Sequence, residues 1–298
     1  MRLEGRVALI TGASKYMGGT IASFMAEEGA KVAVNDIVPE VAEETAAHIR
    51  SKGHEAIAIP GDITDEASVK AMVAKATDAF GYVDILVNNA GKQYQQGVLE
   101  VELDKWNQQI AIFLTGTMLL TREVSKVMVD KKRKGCILTI ISTAGHQGQA
   151  GNLAYCTCKA GLLNFTRAAA MDMARYGIRV NCITPTSMEH ALYRDGIFPG
   201  TTPRVVNPAD RTYTSFTRQE ALEGIPTGRF TRTADIAKTA VFLASDDAEQ
   251  ITGENINVDG GVLARYWPWL PGKFSGITVD DYKENVMQPL EWGEIPGE

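Results

Sequence analysis

The chain is poor in the features that mark several classes of protein. It has only four cysteines in 298 residues, Cys136, Cys156, Cys158 and Cys182. They fall in strand-like or helix-like segments and lack paired zinc-ribbon spacing, so buried small side chains are the expectation and a metal site is not. Such sparing use of cysteine fits a reducing, cytosolic setting. Positive charge is also short: the net charge of −6 argues against an electrostatic nucleic-acid surface. No run approaches the ~20 apolar residues of a membrane span. The first strand-like run starts near Arg6, which leaves no room for a signal peptide. Internal repeats, low-complexity tracts and linker-like charge runs are missing as well. What remains is a chain with 45% hydrophobic residues, long enough to bury a large core as one α/β domain or two small ones.

Apolar runs bounded by turn formers read as strands at 7–11, 31–35, 56–60, 85–88, 136–141 and 179–183. Helix-like periodicity fills the gaps at 18–28, 41–51, 65–79, 103–129 and 152–174. This alternation predicts parallel strands joined by helical crossovers. A Gly-rich turn, Thr11 to Gly19, follows the first run. There Gly12 and Gly18 would let backbone N–H groups and a helix N-terminus face a pyrophosphate. Asp36, at the end of the second run, is placed to hold a ribose 2′-hydroxyl and to repel a 2′-phosphate. NAD is therefore expected over NADP, with Lys15 pulling mildly the other way. Asp62 follows the third run and Asn88-Asn89-Ala90-Gly91 the fourth, all at carboxyl ends of strands, where doubly wound sheets bind ligands.

The fifth run leads into Ser142, and the helix after it carries Tyr155 and Lys159 four residues apart, on one face. A phenol is a poor proton donor or acceptor near neutrality, and a nearby positive charge favours its ionised form. A hydroxyl, a phenol and an ammonium converging there would form an acid/base site.

Taken together, the Gly-rich turn, Asp36, Asp62, Asn88–Gly91, Ser142, Tyr155, Lys159, Asn181 with Pro185, and Gly228-Arg229 through Asp259-Gly260-Gly261 resemble a classical short-chain dehydrogenase/reductase over residues 3–262. The resemblance implies a Rossmann-type, doubly wound, seven-stranded parallel sheet in the order 3-2-1-4-5-6-7. Tyr155 would be the acid/base, Ser142 would steady the substrate oxygen, and Lys159 would hold the nicotinamide ribose and lower the pKa of Tyr155. The cofactor would lie along Gly12, Ser14, Lys15, Tyr16, Met17, Gly18, Asp36, Asp62, Ile63, Asn89, Ala90, Gly91, Tyr155, Lys159, Pro185 and Thr186. The implied activity is hydride transfer between NAD and a secondary alcohol/ketone pair. An epimerase or dehydratase with bound NAD, or a catalytically weak NAD-binding regulatory protein, are the rival readings. A homotetramer, or a homodimer, built on the helices at 103–129 and 152–174 is also implied.

The chain departs from the family at three places. Tyr16 stands where the family has its middle glycine, and either turns outward or reshapes the cofactor pocket. Phe113 stands where the family has an asparagine that holds a proton-relaying water; a phenyl ring cannot hydrogen-bond this way, so proton exchange takes another route or the asparagine is dispensable. Pro185-Thr186 replaces Pro-Gly and opens a lid at 186–226 that carries Met188, His190, Tyr193, Phe198 and Arg204. Beyond 262 an extension to 298 carries Trp267, Trp269, Leu270 and Trp292, costly to leave in water, which would pack on the body, a neighbouring subunit or the site's mouth. Gln93, Tyr94, His146, Gln147, Asn152 and Met188 are the candidate substrate residues; so many polar groups suggest hydrogen-bonding groups beside the carbinol.

Overall fold

Runs rich in valine, isoleucine and leucine, buried on both faces, are what a parallel sheet needs when helices cover each side. In the computed structural model, which describes residues 1–14, 16–188 and 224–265, β1 (Val7–Thr11), β4 (Ile85–Asn88) and β5 (Gly135–Ile140) are buried at every position. With β2 (Lys31–Asp36), β3 (Ala56–Pro60), β6 (Ile178–Pro185) and β7 (Asn255–Val258) they form one sheet in the order β3-β2-β1-β4-β5-β6-β7. Every neighbouring pair is parallel. The expected topology is the observed one.

Helices α1 (Met17–Glu27), α2 (Pro39–Ser51) and α7 (Thr233–Ala244) cover one face of the sheet through Ile21, Met25, Ile49, Ile236 and Val241. Helices α3 (Glu66–Phe80), α5 (Gly116–Asp130) and α6 (Leu153–Met173) cover the other through Val69, Met72, Leu120, Val124 and Ala170. Strand order reverses between β1 and β4, and the crevice beyond their carboxyl ends is where a sheet of this kind receives ligands. Among the described residues no helix is long and apolar enough to cross a membrane.

The helix expected over 103–129 is not continuous. It is α4 (Leu103–Ile110), a π-helical turn (Ala111–Thr115) and then α5. β7, which no apolar run announced, is a short half-buried strand of sequence Asn-Ile-Asn-Val. It is secured through Asn181, whose Nδ2 donates to the Ile251 carbonyl (2.7 Å) and whose Oδ1 accepts from Glu254 N (3.0 Å).

Candidate active site

The Gly-rich turn is shaped by contacts no side chain could survive. Gly12 has φ +60°, and a Cβ there would lie 2.6 Å from the Ala90 Cα. A Cβ on Gly18 would press on the Gly12 carbonyl and come within 2.7 Å of Asn89 Nδ2. Asn89 staples the two turns together, donating from Nδ2 to the carbonyls of Thr11 (3.0 Å) and Gly12 (2.9 Å). Thr11 Oγ1 in turn accepts from the backbone N–H groups of Asn89 and Ala90. Sequence reasoning gave Thr11 no such role; a threonine closing a strand carries no local signal for it.

α1 opens at Tyr16 with no side-chain cap and no acidic residue in its first turn. Its first N–H groups, which lack intrahelical acceptors, form an open positive end. That is the donor set an anionic pyrophosphate fits. Tyr16 has φ −101°, so the backbone here does not demand the glycine of the family pattern. Ser14 accepts through its carbonyl from Tyr16 N (2.6 Å) and Gly19 N (2.8 Å). Lys15 lies outside the described residues.

Asp36 ends β2 beside Pro60, with Oδ1 accepting from Val38 N at 3.0 Å. Asp62 is held by the N–H and hydroxyl of Thr64, both at 2.8 Å, and Ile63 is buried against Gly116. Asp36 ends β2, Asp62 follows β3 and the Asn89–Gly91 turn follows β4; β2 and β4 flank β1, and β3 lies beyond β2.

The second part of the site is a corner of side chains. Ser142 precedes a 3-10 turn (Thr143–Gly145), and its Oγ accepts from Ala144 N. Tyr155 lies in the first turn of α6 and Lys159 one turn on. Burial holds the Tyr155 phenol above its ordinary pKa, while the Ser142 hydroxyl beside it pulls the other way. Lys159 is buried, donates from Nζ to the Ile140 carbonyl at 2.7 Å and lies over the Tyr155 ring, 5.5 Å from its centroid. Burial pushes the Lys159 ammonium down to about 7. The structure thus brings the three residues together.

Among the candidate substrate residues, Gln93 and Asn152 are joined, Gln93 Nε2 donating to Asn152 Oδ1 at 2.6 Å. Asn152 is fully buried and its Nδ2 has no partner. Gln109, not singled out from sequence as a substrate residue, grips the next residue of the same loop through the Tyr94 carbonyl (3.4 Å), and its Oε1 is also buried without a partner. Tyr94 itself points its hydroxyl to Gln108 (2.7 Å), with the ammonium groups of Lys92 and Lys105 over its ring. His146 is tied to the β6/β7 edge, Nε2 within 3.2 Å of Thr184 Oγ1 and 3.4 Å of Asn255 Nδ2, and burial of its ring lowers its pKa. Gln147 is exposed. Pro185 closes β6, Thr186 follows it, and Met188 bridges to Thr231. His190, Tyr193, Phe198, Arg204 and most of the lid lie outside the described residues. So do Trp267, Trp269, Leu270 and Trp292.

Residues 12–263 match the family model described as enoyl-(acyl carrier protein) reductase. The chain is 36% identical over 265 residues to sorbitol dehydrogenase of Cereibacter sphaeroides, covering 88% of this chain and 98% of that protein. It is 37% identical over 260 residues to the 2,5-dichloro-2,5-cyclohexadiene-1,4-diol dehydrogenase of Sphingobium indicum, covering 87% and 97%. A crystal structure of a short-chain type dehydrogenase/reductase from Mycobacterium marinum superposes with a TM-score of 0.75 at 30% identity, covering 88% of this chain and 97% of that one.

Proposed function

The chain belongs to the short-chain dehydrogenase/reductase family, and on that premise we propose that it is an NAD-dependent dehydrogenase acting on a secondary alcohol that carries a further hydroxyl. The observation that carries this reading is the corner where Ser142, Tyr155 and Lys159 meet, at the carboxyl end of the sheet. NAD, when bound, supplies the hydride acceptor at its nicotinamide ring.

The chain's own residues do the rest. Gly12 through Gly18 and the open end of α1 hold the pyrophosphate, with Ser14, Tyr16 and Met17 along the way. Asp36 accepts from the ribose 2′-hydroxyl of the adenosine half, and Asp62 and Ile63 flank the adenine. Asn89, Ala90, Gly91, Pro185 and Thr186 frame the nicotinamide side, where Lys159 holds the ribose. Ser142 donates a hydrogen bond to the substrate oxygen while Tyr155 takes the hydroxyl proton as the carbon loses its hydride. In the reverse direction Tyr155 returns that proton to a ketone. Because burial keeps the phenol protonated at neutrality, oxidation accelerates as pH rises and reduction does not.

The substrate class rests on two supports. Both relatives named above are, by name, dehydrogenases of a polyol or a cyclic diol. The unpartnered Asn152 amide lies three residues before Tyr155, one helical turn away, and a second hydroxyl is a group that could satisfy it. The assembly proposed is a homo-oligomer, dimer or tetramer, through the outer faces of α5 and α6. Met118, Phe165, Ala169, Met173 and Tyr176 line an apolar groove there.

The test is a fluorescence titration with NADH and NADPH, followed by turnover on sorbitol, a cyclic diol, simple secondary alcohols and an enoyl thioester. NADH binding at least tenfold tighter than NADPH, with diols or polyols oxidised best, is expected. Binding of neither dinucleotide overturns the reading, and turnover of the enoyl thioester alone replaces it with double-bond reduction.

A further inference from the structure

Phe113 is buried in the middle of the π turn that interrupts the long helix. A π turn carries one more residue than an α turn, and such turns gather at functional sites. Besides its apolar cluster with Ile141, Cys158 and Leu162, the Phe113 ring touches the site at three points. It packs on the turn after β4 at Gly91, where any Cβ would lie 2.6 Å from the Phe113 Cε1. It meets the Tyr155 ring edge to face, with centroids 5.5 Å apart and planes at 74°. The Lys159 ammonium lies over it, 4.5 Å from the centroid and nearer than to Tyr155.

The Lys159 Nζ therefore sits in a corner made of one carbonyl, that of Ile140, and two aromatic rings. An ammonium so enclosed loses most of its hydration, and one carbonyl returns only part of it. A ring quadrupole facing the cation returns more, and most where water is excluded. We infer that Phe113 is a positioning residue for Lys159 and Tyr155, its ring face holding the buried Lys159 in its cationic form and its contact with Tyr155 fixing the angle of the phenol.

The groups around Lys159 leave this effect readable. Its own helix supplies Tyr155 and Cys158, and β6 supplies Cys182 in the same apolar cluster. Burial pushes both thiols up to about 11, so they stay neutral through the relevant range. β5 supplies the Ile140 carbonyl and the π turn supplies Phe113, neither of which titrates. Ring removal at 113 should therefore appear directly in the titration of Lys159.

The experiment uses the full chain labelled with ¹³C-lysine, the Lys159 side-chain resonance being assigned by its loss in Lys159→Arg. Phe113→Met keeps an apolar side chain and removes the ring; Phe113→Tyr keeps the face. The Lys159 midpoint should fall by about one pH unit in Phe113→Met and hold in Phe113→Tyr. An unchanged midpoint in Phe113→Met overturns the inference, as does a comparable fall in Phe113→Tyr. Should Phe113→Met not fold, Phe113→Leu takes its place as the ring-removing variant: a fallen midpoint supports the inference and an unchanged one overturns it. The consequence for turnover rests on the dehydrogenase reading, in which loss of the Lys159 charge sets a high-pH limb of kcat for ketone reduction that shifts with the midpoint. A shifted resonance with an unmoved limb would count against that reading and leave the Phe113 inference standing.

Discussion

The two halves of the site are built from different materials. The proposed cofactor cradle is backbone: Gly12 and Gly18 sit where no Cβ fits, Asn89 staples the two turns together, and α1 begins without a side-chain cap. The proposed proton-transfer corner is side chain: Tyr155, Lys159 and Phe113 are fitted ring against ring and ring against ammonium, with protonation governed by burial. A backbone cradle is damaged by adding an atom, whereas a side-chain corner is damaged by removing or exchanging one. Binding and chemistry should therefore fail separately.

The largest separation is expected from Tyr155→Phe. It deletes the proposed acid/base oxygen and none of the backbone cradle, so kcat should fall about 10²- to 10⁴-fold while the NADH dissociation constant stays within about twofold, roughly 0.4 kcal/mol. Steady-state kinetics beside a fluorescence titration would check it. Gly18→Ala should do the opposite. Its new methyl group meets the Gly12 carbonyl and Asn89, so NADH affinity should fall about tenfold to a hundredfold, with about 1–3 kcal/mol lost in urea unfolding.

A sharper test within the cradle is Asp36→Ser, which removes the carboxylate that would repel a 2′-phosphate. The ratio of NADH to NADPH affinity should move about tenfold toward NADPH, about 1.4 kcal/mol, and an unmoved ratio would remove Asp36 as selector. The smallest effect concerns stability. Lys159 has a folded pKa near 7, below its unfolded value of roughly 10.4, so between those values the unfolded chain binds the extra proton. Stability from this group therefore rises with pH across that window, and the cost of burying the charge is fullest below about pH 7. Lys159→Met should melt a few degrees above wild type at pH 6, with the gap narrowing by pH 9.

The same division explains what could be read from the sequence. Glycines at fixed spacing after a buried run declare a strand, a turn and a helix entry, and Gly12 does lie in such a turn between β1 and α1, with Gly18 in the first turn of α1. Most strands were legible because parallel strands buried on both faces are near-continuous apolar runs, while the sheet order came from the family resemblance. β7 was not, since Asn-Ile-Asn-Val is short, half exposed and secured by Asn181 from another strand. Within the corner, the spacing of Tyr155 and Lys159 was readable, but the Ile140 carbonyl, a backbone atom, left no trace in residue identity. The π turn was hidden too, because its residues Ala-Ile-Phe-Leu-Thr continue a helical pattern. Phe113 could be marked as unusual; its place over the Lys159 ammonium came only from the fold.

The most direct test of the account is NADH formation from NAD and a diol or polyol panel, run on the wild-type chain and on Tyr155→Phe at matched cofactor occupancy. Steady NADH production by the wild type, lost in the variant although both bind NADH alike, is the predicted result. Equal production by the two proteins would contradict Tyr155 as the acid/base and with it the mechanism proposed for the corner.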